Sequence, residues 1–153
     1  LCDQKLHRLM CYINSSLGKR LICWVGDDVG DCLPHSYADA DFAGCPYTLR
    51  STSGIHTDIQ GPNSRFPFGG SSTGQTNRAQ STPEAEMGSL NKGMKDRSEP
   101  AFIIWQTLLA QYHPANWQMR CYVHEDNSPC IATAETGKNQ TMKSSPCYPL
   151  HYF

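Results

Sequence analysis

Apolar residues recur at three- and four-residue intervals near the start of the chain. Leu6, Leu9, Met10, Ile13 and Leu17 line one side of a helix, and Gly18 stands where that helix would stop. The pattern then changes to short, denser runs. LICWVG (21–26) predicts a short strand ending in the acidic turn DDVGD, SYADADFAG (36–44) a second strand fraying into a loop, and STSGIHTDIQG (51–61) a third. Residues 61–82 are rich in Gly, Pro, Ser, Thr and Asn around one apolar patch, RFPFGG, and read as a loop or an irregular edge strand.

Helical periodicity returns at STPEAEMGSLNKGMKD (81–96). Thr82 is placed to cap, Pro83 suits the first helical position, and Glu84 and Glu86 favour the positive end of the helix dipole. Gly88 and Gly93 weaken this helix unless it packs closely on a sheet. In SEPAFIIWQTLLAQYHP (98–114), Ala101, Ile104, Trp105, Leu108 and Tyr112 form the expected buried stripe and Pro114 ends the helix. QMRCYVHEDN (118–127) alternates Met119, Cys121 and Val123 against Arg120, Tyr122 and His124, the pattern of a half-buried strand. Ser128 then caps and Pro129 opens a short helix that Gly137 closes. No internal repeat appears. The order is mixed α/β, with antiparallel strands early and a strand-to-helix unit late.

The 153 residues fit one domain with a substantial core, and a mean hydropathy of −0.52 suits a loop-rich globular protein. No apolar run is long enough to span a bilayer. Asp3, Lys5, His7 and Arg8 interrupt any signal-peptide layout, and a beginning at Leu1 rather than Met reads as a processed or excised piece. Thirteen Lys and Arg against fourteen Asp and Glu give a net charge of −1, without the basic surplus of a dedicated nucleic-acid binder. The local cluster from Lys138 to Lys143 reads as solvated charge. The eight cysteines show no Cys-x-x-Cys, and no His pair sits at zinc spacing. Several lie in apolar segments, so free buried thiols in a reducing, intracellular compartment are expected. Asn14-Ser15-Ser16 and Asn139-Gln140-Thr141 match the glycosylation pattern, which has meaning only in a secreted protein.

The candidate chemistry lies in carboxylates at element ends. Asp39 is near the end of one strand and Asp126 at the end of another, and the carboxyl ends of strands are where α/β sites assemble. Glu84 and Glu86 lie in the first turn or so of the helix between them. Residues two apart on a helix point about 200° apart, so only one can face a given site. Glu86 shares its face with Ser89, Leu90 and Gly93, whose small members would let the helix lie close on the sheet; Glu84 shares its face with Met87, Gly88 and Asn91. The faces alone do not choose between them. Such a set could hold two Mg²⁺ ions for phosphodiester hydrolysis, because hard cations take oxygen ligands. Acidic residues also cap helices and end strands in most domains, with no metal involved.

Several motifs in order add to this reading. LHRLMCYINSSLG (6–18), ADADFAG (38–44), RSTSG (50–54), STPEAEM (81–87), HEDN (124–127) and GKNQTMK (137–143) resemble, in that order, the polyproteins of copia-type retrotransposons. They are similar to the end of the reverse-transcriptase connection region followed by the ribonuclease H domain, through most of residues 3–143. The resemblance implies a connection-like helix and strand over 1–33, a ribonuclease H-like domain over 34–143 and a divergent tail over 144–153. It implies an α/β fold, a ribonuclease H-like mixed sheet flanked by helices and lacking a complete final helix. It also implies cleavage of the RNA strand of an RNA–DNA hybrid with Mg²⁺ or Mn²⁺ as cofactor. Carried over, the first Asp of DAD is Asp39, the second Glu of EAE is Glu86 and the Asp of EDN is Asp126, the expected catalytic and metal-holding residues. Asp41 and Glu84 are then local acidic residues.

The chain departs from the family at its end, where SSPCYPLHYF stands in place of a helix that brings a further ligand or proton-transfer residue. His151 is the one candidate substitute there. His124 alternates onto the side of Asp126 and could tune it, although a strand histidine is more often structural. Trp24, Trp105 and Trp117 could stack bases, with Trp105 better read as core. Two functions follow: a metal-dependent nuclease acting on RNA–DNA hybrid, or a catalytically lapsed domain of the same origin. The lapsed domain would serve as a structural subunit among protein partners in a larger assembly, an organellar one included.

Overall fold

The computed structural model describes residues 2–112 and 119–137. Its centre is a mixed four-stranded sheet in the order β3-β2-β1-β4, formed by β1 (Leu33–Asp41), β2 (Thr52–Gly61), β3 (Ser64–Gly74) and β4 (Tyr122–His124). The first three strands form an antiparallel meander, and β4 lies parallel to β1. Helices α2 (Thr82–Gly93), α3 (Glu99–Leu109) and α4 (Ser128–Thr136) complete this unit, and α1 (Cys2–Ser16) precedes it. The expected α/β class with a mixed sheet flanked by helices is therefore present. The expectation of an incomplete final helix, and His151, fall on residues outside those described.

Strand β1 explains how helix and sheet meet. Its buried positions are Pro34, Ser36, Ala38 and Ala40, alternating with Leu33, His35, Tyr37, Asp39 and Asp41 on the other face. Small residues on the buried face let α2 approach closely. Ala38 packs with Met87, Leu90 and Cys130, and an added Cβ on Gly93 would already touch Ile55 of β2. Ser89, fully buried, donates its hydroxyl to the carbonyls of Asp39 at 2.7 Å and Gly54 at 3.3 Å. We expect Ser89→Ala to cost about 1–2 kcal/mol in chemical denaturation, because the two carbonyls lose their side-chain donor. An unchanged midpoint would show that this contact contributes nothing.

Helix starts fall one residue earlier than expected. Ser81, in extended conformation, caps α2 by accepting from the Glu84 amide at 3.4 Å, in place of Thr82. Asn127 caps α4 by accepting from the Cys130 amide at 3.0 Å, in place of Ser128. Pro therefore takes the second helical position in each case, where it also lacks an amide that needs a partner. Gly137 ends α4 in the left-handed conformation, as predicted. Helices α2 and α3 join without a break through a π-helical turn, Met94–Ser98.

Other expectations are corrected. LICWVG forms no strand: only Trp24 pairs, through two backbone hydrogen bonds with Arg65 at the edge of β3. Of the two readings of residues 61–82, the edge strand is the one present, as the 11-residue β3. The α1 stripe of Leu6, Leu9, Met10, Ile13 and Leu17 is not covered; these residues are 43–68% exposed. On α3 the buried line is Ala101 and Leu109, with Trp105 half-buried between them, while Ile104, Leu108 and Tyr112 face outward. The anchor is the Trp105 indole N–H, which donates to the Cys32 carbonyl at 2.8 Å and turns that side of the helix to the sheet. Cys2, Cys11, Cys23, Cys32, Cys45, Cys121 and Cys130 are free thiols, as expected, but only Cys32 and Cys130 are buried.

Candidate metal centre

The parallel pairing of β1 and β4 brings their carboxyl ends to the same edge of the sheet. Asp39 sits near the end of β1. Asp126 follows the end of β4 by two residues, just before the Asn127 cap of α4. Glu86 arrives from the second turn of α2, on the line Ala85, Glu86, Ser89, Leu90 and Gly93 that faces the sheet. One ligand oxygen from each of Asp39, Glu86 and Asp126 lies within 4.8 Å of the others. These are the three residues that the sequence singled out, and the fold brings them together from widely separated parts of the chain.

The same geometry decides between the two glutamates. Glu84 is used locally: its carboxylate accepts from the Gln80 amide at 2.8 Å, at the start of its own helix. Asp41, also exposed, lies against Gly44 in the turn after β1, where any side chain would collide with its carboxylate. Neither belongs to the cluster.

Burial divides the three site carboxylates. Asp39 and Asp126 are exposed, whereas Glu86 is only 5% exposed and its Oε2 has no hydrogen-bond partner. Burial, with Glu125 and Asp39 adding like charge, pushes the Glu86 carboxyl up to about 7, against a stabilising backbone hydrogen bond from Ala40. A buried carboxylate oxygen with no donor, facing two more carboxylates, is an electrostatic deficit that a cation or a proton removes. Three carboxylate donors, two of them open to solvent, could hold a hard metal ion.

Glu125 was missed by sequence reasoning. Its Oε1 accepts from the Asn127 amide at 3.2 Å, while its Oε2 is buried and unpartnered. Burial raises its carboxyl, with like charge from Asp126 and Asp39 adding to the shift. The signal was its place beside Asp126 just after β4, and its charge acts on Glu86 of α2 more strongly than that of Asp39 or Asp126 does. Beside both glutamates lies Cys130, fully buried, whose thiol is pushed up to about 12 by burial and by the two carboxylates; it is an inert packing group.

The remaining sequence candidates do other work. His124 hydrogen-bonds His35 (2.8 Å) and stacks on Tyr37. Trp105 is tied to Cys32, Trp24 pairs with Arg65, and Trp117 and the Lys138–Lys143 cluster fall outside the described residues. No helix among the described residues is long and apolar enough to cross a membrane. No protein-family description, curated protein or solved structure matches this chain.

Proposed function

We propose that the chain is a ribonuclease H-like domain of retrotransposon origin. In this reading it cleaves the RNA strand of RNA–DNA hybrids with Mg²⁺ or Mn²⁺ held by Asp39, Glu86 and Asp126. The observation that carries the reading is the convergence of these three carboxylates from β1, α2 and the end of β4, one of them buried with an orphaned oxygen. The mixed sheet with helices behind it is the coarse architecture that the reading requires. Bound divalent cations would supply activation of a water and neutralisation of charge at the scissile phosphodiester. Glu86 fixes the inner side of the site from the rigid helix–sheet interface. Asp39 and Asp126 leave the outer side open to a nucleic-acid backbone. The test is cleavage of a labelled RNA–DNA hybrid with Mg²⁺ or Mn²⁺. No cleavage by a demonstrably folded protein would remove the nuclease reading.

A second reading, a lapsed domain working as a structural subunit, draws on one observation. The apolar side of α1 and the outward Ile103, Ile104 and Leu108 of α3 are uncovered. It expects fixed copurifying protein partners, and a purely monomeric protein in native extracts would count against it.

A further inference from the structure

We propose that His35 and His124 are positioning residues of the carboxylate site. Their mutual hydrogen bond, and the column of rings built around it, hold β4 on β1 and thereby set where Asp126 stands. This rests on the metal-binding reading above and adds to it a part of the chain remote from the carboxylates.

Strand β4 needs such a device. It is three residues long, pairs with β1 at only three positions (His35↔Tyr122, Ser36↔Val123, Tyr37↔His124), and does so in parallel, the slightly weaker arrangement. Apolar burial contributes little, since Tyr122 is 42% and Val123 38% exposed. The side chains on the face away from α2 supply what the backbone lacks. His35 Nδ1 and His124 Nε2 are 2.8 Å apart, one ring donating and the other accepting. The rings form one pile of two stacked pairs, Tyr122 with His35 and His124 with Tyr37, which this hydrogen bond joins edge to edge across the two strands. Tyr122 lies 4.9 Å from His35, His35 5.1 Å from His124 and His124 4.3 Å from Tyr37, with interplanar angles of 25°, 14° and 9°.

The pile is anchored beyond β1. The Tyr37 hydroxyl accepts from Gln60 Nε2 at 2.6 Å. Gln60 also donates to the fully buried Asp58 at 2.8 Å, and Asp58 in turn pairs with Arg65 of β3 at 3.1 Å. The clasp thus ties the short strand to the whole meander. Asp126 follows His124 by two residues and is followed at once by Asn127, whose side chain caps α4. Asp126 is therefore suspended between the His35–His124 clasp and the helix cap. Groups that orient a metal-holding side chain typically change metal affinity 10- to 100-fold when removed.

The test uses the full chain and Mn²⁺ as the probe, with free Mn²⁺ followed by electron paramagnetic resonance and amide hydrogen exchange followed at Val123 without metal. Expected for His124→Ala is a Mn²⁺ dissociation constant raised about 10- to 100-fold, with faster exchange at Val123 and unchanged exchange in α2. His35→Phe keeps a ring in the pile but removes the hydrogen bond. It should weaken Mn²⁺ binding severalfold with little effect on melting, and it serves if His124→Ala does not fold. His124→Gln, whose amide can replace the lost nitrogen, should restore most of the affinity, which a purely structural loss would not predict. Wild-type uptake of Mn²⁺ that is unchanged in folded His35→Phe and His124→Ala would overturn this inference alone. No uptake by the wild-type protein would overturn the metal reading and this inference with it.

Discussion

Asp39→Asn and Asp126→Asn should each lower Mg²⁺-dependent cleavage of an RNA–DNA hybrid by about 100- to 1,000-fold without loss of the fold. The amide keeps the shape of the carboxylate and removes its charge. Each residue is one of three charged donors to the proposed site, so its neutralisation weakens cation binding and the several kcal/mol that a cation contributes to the transition state. At about 1.4 kcal/mol per tenfold in rate, a loss of roughly 3–4 kcal/mol gives that range. Both side chains are exposed, so nothing in the core depends on them. Each also adds like charge beside buried Glu86, so the metal-free variants should melt no lower than the wild type. Glu86→Gln should abolish cleavage to the same extent. Initial rates on a labelled hybrid, beside melting curves of the same preparations, separate lost chemistry from lost folding. Wild-type cleavage that persists in all three variants would remove these residues from the site.

The resemblance selects these three, and each also leaves a weaker signal of its own in the local pattern. Asp39 and Asp126 close runs of alternating residues, and Glu86 lies three residues before Ser89 on the helix, so local periodicity places all three at element ends or on a sheet-facing line. Periodicity alone did not choose Glu86 over Glu84, because both suit the first turns of a helix; the resemblance chose Glu86, and in the fold its approach to β1 separates the two. Glu125 was hidden for a related reason. Its importance comes from pointing inward beside Glu86, a residue 39 positions away. Periodicity was least informative where it reports an apolar side without saying what covers it. The α1 stripe is a regular helical pattern, yet none of its residues is buried, and on α3 an indole hydrogen bond to Cys32 selects a neighbouring face. β3 was legible only as one of two alternatives: its glycines, serines and proline leave a loop and an irregular edge strand equally open, and the edge position beside β2, which tolerates all of them, makes it the strand.

The second large effect is on stability, and its sign depends on whether a divalent cation is present. Without metal, burial and neighbouring carboxylates raise the Glu86 carboxyl from 4.5 to about 7, so the folded protein binds this proton more tightly than the unfolded chain does. Its contribution is then fully present below about pH 4.5, declines as pH rises toward about 7, and is flat above. A shift of that size corresponds to roughly 3 kcal/mol lost across the window. The raised carboxyl of Glu125 acts in the same direction. His35 opposes them, because burial lowers its imidazole, so the stability it confers is lost as pH falls below about 6.5. The wild-type curve alone therefore mixes two slopes, and the difference between Glu86→Gln and wild type isolates the glutamate. In chelator, Glu86→Gln should gain on the wild type by about 2–3 kcal/mol between pH 5 and pH 8, read from urea midpoints. With saturating Mg²⁺ the order should invert above pH 7. The cation favours the ionised carboxylate and binds only the folded state, which stabilises the wild type by mass action and leaves the variant behind. A difference that ignores both pH and Mg²⁺ would mean that Glu86 is neither a buried acid nor part of a cation site. A pH-dependent difference that Mg²⁺ leaves untouched would keep the buried acid and remove the metal.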